Sequence, residues 1–145
     1  MASELKKITD LSDEEKTQLF KEFEDQRVNY GLCFMDFENI MYEHKLDYQG
    51  KLRVSLPLGE NLVLWSLLNE DAIRLINEYV VSHGLRYKPT DTDMYAERGR
   101  VLDLPVISSK DEAEIMRNAK DLKKPHWLPV ELGNCQIFCV NRFFS

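Results

Sequence analysis

The chain has 145 residues, 43% of them hydrophobic and 30% charged, with a formal net charge of −6 at pH 7. That length suits one domain with its own core, and the composition excludes a disordered chain. Three cysteines exclude a complete disulfide framework, the absence of a long apolar run excludes a spanning helix, and the polar Met1–Asp10 stretch gives no secretory signal, so a soluble cytoplasmic protein is expected.

Residues 1–10 read as a flexible tail before a single α+β domain over 11–145. Ser12 and Glu15 form a capping box, and Leu19, Phe20 and Phe23 recur at helical spacing, predicting a helix over 12–28 that Tyr30-Gly31 ends. Phe34, Phe37, Ile40 and Met41 mark a second helix over 34–45, so the pair forms a helical hairpin. Leu52, Val54, Leu56 and Leu58 then alternate as in a half-buried strand, which Pro57 places at a sheet edge. A turn at 59–61 joins it to an apolar strand over 62–68.

Asn69 caps a helix whose buried stripe is Ile73, Ile76, Tyr79 and Val80, with Gly84 just beyond its end. A short strand over 85–88, a polar loop over 89–93 and a strand over 101–107 follow. Ser109 to Glu112 repeats the capping-box pattern and starts a helix to about 122, which Lys123-Lys124-Pro125 stops. Residues 125–133 read as a loop carrying His126 and Trp127, and Gln136–Phe144 as a last strand. The order ααββαββαβ predicts a mixed or antiparallel sheet covered by helices, after an N-terminal helical hairpin.

Arg86, Lys88, Arg98 and Arg100 flank the loop over 89–99. If the strands on either side pair, the loop becomes a basic hairpin tip behind a helix. Helix, strand, basic tip, strand over residues 69–107 resembles a winged-helix domain, and the resemblance implies a nucleic-acid binder whose tip touches phosphate. It departs from that pattern in two ways. A strand precedes helix 69–83, and that helix sets Glu70, Asp71 and Glu78 against Arg74 and His83, a balance that repels DNA.

Lys123, Lys124, His126 and Trp127, with Lys120, could stack on a base or clamp an anionic partner. The lysines equally complement a helix C-terminus, and Trp127 between two prolines equally plugs a core; an exposed Trp127 would be an interface hot spot. Asp91-Thr92-Asp93 offers two oxygens to a cation but matches turn chemistry better, and Cys135, Cys139 and His126 lack the spacing of a zinc site, so no metal is expected.

Phosphate-loop, dinucleotide, G-x-S-x-G and H-E-x-x-H signatures are absent from the sequence, so no cofactor is expected. Residues 1–50 carry 12 Asp and Glu against 6 Lys and Arg, while 51–145 carry 13 of each. The first helix shows Asp13, Glu14, Glu22, Glu24 and Asp25, a surface that could dock a basic partner or imitate a phosphate backbone. The leading expectation is a non-enzymatic binding or regulatory protein with a protein partner. The alternatives are a winged-helix-like nucleic-acid binder using residues 86–100, and a small enzyme with a nonstandard site at Asp91, Asp93 or His126. A homo-oligomer could form through the Pro57 strand and the final strand with Phe138, Phe143 and Phe144.

Overall fold

The computed structural model describes residues 4–56 and 59–134. The expectations for Pro57, Leu58, Cys135, Cys139 and the strand over 136–144 lie outside the described residues.

Local sequence sets the first three helices. Ser12 Oγ accepts from the Glu15 amide at 3.1 Å and the Glu15 carboxylate accepts from the Ser12 amide at 3.0 Å, opening α1 (Asp13–Tyr30). Gly31 ends α1 at φ +86°, a conformation that side chains disfavour. The Cys33 amide then donates to the Asp36 carboxylate at 2.8 Å and starts α2 (Phe34–Glu43). Asn69 Oδ1 accepts from the Ala72 amide at 2.8 Å and starts α3 (Glu70–Ser82). Their apolar faces meet in one aromatic group: Phe23 lies edge-on to Phe37 at 4.8 Å, and Tyr79 packs 5.2 Å from Phe23. Such edge-to-face pairs add about 1 kcal/mol each beyond the area they bury.

Residues 6–10, read above as part of a tail, are docked. Strand β1 (Lys6–Lys7) pairs in parallel with β2 (Leu46–Asp47), and Ile8 behind it is buried. The expected hairpin forms from β3 (Gln49–Ser55) and β4 (Leu62–Leu68). It is bulged: Gln49 and Leu52 both face Leu68, and the extra residues bring Gly50 against the next backbone. A Cβ at Gly50 would sit 2.7 Å from the Asn69 backbone, so this crossing requires glycine.

The second half differs from the sequence reading in its strand pairing, in a helix and in a helix cap, and residues 101–107, expected as a strand, form only an isolated bridge at Val106. Strand β5 (Leu85–Pro89) pairs antiparallel with β7 (Val130–Asn134), not with residues 101–107. The expected hairpin tip is instead a short helix, α4 (Thr92–Arg98). Tertiary burial explains it: Tyr95 is fully buried, its hydroxyl donating to the Val130 carbonyl at 2.6 Å and accepting from the Phe34 amide at 3.3 Å. Finally, α5 (Glu112–Asn118) is capped by Asp111 and not Ser109; Asp111 Oδ1 accepts from the Ala113 amide at 3.0 Å.

Strand β6 (His126–Trp127) extends β4 in parallel, giving the order β3–β4–β6, and Val106 bridges onto its far side. Trp65 of β4, Tyr95 of α4 and Trp127 of β6 make a second aromatic group with centroids 4.9–6.0 Å apart. Phe34 stacks on Trp65 and on Tyr87 of β5, so α2 carries the residue that joins sheet and helices. The chain is α+β, with an N-terminal helix pair followed by sheets. Among the described residues no helix is long and apolar enough to cross a membrane.

Candidate functional surface

Arg98 and Arg100 lie where α4 runs back toward α2, and they do not project as a basic tip. The Arg98 guanidinium pairs with Asp36 and also donates to the carbonyls of Gly31 at 3.1 Å and Tyr30 at 2.8 Å. Arg100 pairs with Glu38 at 2.8 Å, donates to the Ser66 carbonyl at 2.9 Å, and lies 4.2 Å above the Trp65 ring. Glu38 also accepts from the Trp65 indole N–H. Asp36 and Glu38 are only 5% and 6% exposed, so each carboxylate requires its guanidinium. Arg86 pairs with Glu112 at 2.5 Å. The wing expectation is therefore corrected: three of its four cations hold the fold together, while Lys88 remains exposed.

Trp127 is fully buried, and its indole N–H donates to the Leu64 carbonyl at 3.2 Å. Its hot-spot role is corrected to a core role, because β6 pairs alongside β4 and the indole packs against Trp65 and Tyr95. His126 is half-buried with Nδ1 donating to the Lys124 carbonyl at 2.8 Å, and Lys123 and Lys124 are exposed. Asp91 pairs with Lys110 at 2.5 Å, and Asp93 lies in the first turn of α4. Among the described residues no three His, Cys, Asp or Glu side chains are grouped to hold a metal ion. Burial pushes the Cys33 thiol up to about 12, so it is a protonated core side chain rather than a nucleophile.

The acidic set on α1 divides. Glu22 meets His44 at 2.7 Å and Asp25 meets Lys21 at 3.2 Å. Glu24 takes Arg27 at 2.7 Å and the Tyr79 hydroxyl at 2.6 Å; the Arg27 guanidinium foremost holds its carboxyl at about 2. Asp13 and Glu14 stay exposed and make no ion pair among the described residues.

Sequence reasoning missed the surface these two border. A groove of about 350 Å³ is lined by Leu5, Tyr42, Glu43, Lys45, Leu46, Tyr48 and Gln49. A second, of about 260 Å³, runs along α1 past Glu14, Glu15, Gln18 and His44, and shares Leu46 with the first. Strand pair β1–β2 therefore forms a ridge with a depression on each side. Tyr42 is 72% exposed and Leu5 54%, while Leu46 and Tyr48 are buried at the base. Lys45, at φ +56°, closes α2 and turns the chain into β2, which sets Tyr42 beside Tyr48 in the lining. The available signal was Ile8 and Leu46, apolar residues in segments too short to score as strands.

Comparison with protein-family models, with curated proteins and with solved structures finds no match to this chain.

Proposed function

We propose that this chain is a non-enzymatic binding module that contacts a protein partner through the face built from β1, β2 and the first turns of α1. One observation carries the reading. Most of the residues whose chemistry suggested other roles are consumed internally, Arg86, Arg98 and Arg100 by carboxylates and Trp127 and Cys33 by the core, which leaves Lys88, Lys123 and Lys124 as the exposed cations of that set. Two grooves beside exposed Leu5 and Tyr42 are left open to solvent. Apolar depressions rimmed by polar groups suit macromolecular contact, and tyrosine is enriched at such contacts.

The test captures partners on the full chain from a lysate divided into nuclease-treated and untreated halves, and then rebuilds any complex from purified components. A protein recovered from both halves that re-forms a stoichiometric complex supports the proposal. Recovery abolished by nuclease, or no complex from purified components, overturns it.

A further inference from the structure

Resting on the protein-binding reading above, we propose that the Leu5–Tyr42–Tyr48 groove receives an apolar side chain of an extended partner segment whose neighbouring lysines or arginines meet the carboxylates around it. The groove supplies the first half. Leu46 and Tyr48 form an apolar base, and Leu5 and Tyr42 stand exposed at its rim, an arrangement able to enclose one aliphatic or aromatic side chain. Residues with rigid rings lose little conformational entropy when they close on a ligand.

Charge supplies the second half. Glu43 lines this groove and Glu14 the neighbouring one. Glu4, Asp10, Asp13 and Asp47 are exposed on the segments that frame them, and none of the six makes an ion pair among the described residues. Against them stand Lys7 and Lys45, because Lys6 is held by Glu15 at 2.6 Å. Asp36, Glu38, Glu22, Glu24 and Asp25 are neutralised by internal partners, and the carboxylates without an ion pair elsewhere in the described residues are nearly matched by lysines and arginines without one, so the largest local excess of negative charge lies here. A nucleic acid is repelled by such a field, and so is the same acidic face of a second copy; a basic segment is attracted.

A displayed library of random dodecapeptides, selected in parallel on the full chain and on its Tyr42→Ala variant, tests this. Tyr42 is mostly solvated, so its truncation leaves the core intact. The expected result is enrichment, on the full chain alone, of peptides that pair leucine or an aromatic residue with lysine or arginine. A synthetic copy of the best peptide should lose about tenfold in affinity on Tyr42→Ala and again on Glu43→Lys, and should weaken as salt rises. Acidic or uncharged winners, affinity indifferent to salt, or no enrichment on either chain overturn the proposal. Peptides that bind both chains equally overturn the groove while leaving a protein-binding role elsewhere on the surface standing.

Discussion

Replacing Glu38 by alanine removes the acceptor that the buried Trp65 indole and the partly exposed Arg100 share. The Trp65 indole N–H then lies in a fully buried residue with no partner, at a cost of about 1–3 kcal/mol. Arg100 loses its carboxylate but keeps the Ser66 carbonyl at 2.9 Å, and its side chain, 32% exposed, can turn toward water. The full cost of stranding a buried charge, about 3–5 kcal/mol, is therefore only partly reached. Together the terms give a destabilisation of about 3 kcal/mol, which for a chain of this size lowers Tm by about 10 °C. Glu38→Gln retains an amide oxygen for the indole and loses only the charge, so it should cost about half as much. Urea unfolding followed by circular dichroism measures both. In the cycle with Arg100→Met, the two changes should couple by about 1 kcal/mol or more. A Glu38→Ala variant within about 0.5 kcal/mol of the parent, or a glutamine variant less stable than the alanine one, would refute the reasoning.

Three further expectations follow from the same geometry. With Cys135 and Cys139 replaced by serine, Cys33 in the native protein should resist iodoacetamide at neutral pH and react only as the chain unfolds, since burial keeps its thiol at about 12; rapid native labelling would contradict this. Gly50→Ala should cost at least about 2 kcal/mol in urea unfolding, because the new Cβ meets backbone at 2.7 Å rather than a movable side chain, and a neutral result would mean that the bulge relaxes freely. Glu24 is depressed from 4.5 to about 2, chiefly by Arg27, so its contribution is present above the unfolded value and is lost as pH falls through that value toward 2. Solvent access limits that contribution to about 1 kcal/mol, and Arg27→Ala should flatten stability between about pH 5 and pH 2; an unchanged acid limb would remove the pair from the account.

The elements legible in the sequence are those decided by neighbours along the chain. Ser12 with Glu15, Asn69 with Ala72, and Gly31 with its positive φ act within a few residues, and the structure places each where local chemistry requires. What escaped depends on distant partners. Helix α4 exists because Tyr95 reaches Phe34 and Val130 across the fold, whereas Pro-Thr-Asp alone reads as a turn. Arg98 and Arg100 read as a solvated basic tip because their carboxylates lie 62 positions earlier. A signal for them was present: Asp36 and Glu38 interrupt the apolar run Phe34-Met35-Asp36-Phe37-Glu38, and acids in a buried stretch call for cations. The grooves left a weaker signal, Ile8 and Leu46 in segments too short to read as strands, since they arise only when β1 and β2 meet.

The most direct test of the central claim is site-specific photocrosslinking in lysate, with a benzophenone amino acid placed at Tyr42 beside the groove or at Val81, which is also exposed but lies on α3. The account predicts a discrete protein adduct from position 42, insensitive to nuclease and absent from position 81. A nucleic-acid adduct, or the same protein adducts from both positions, would contradict it.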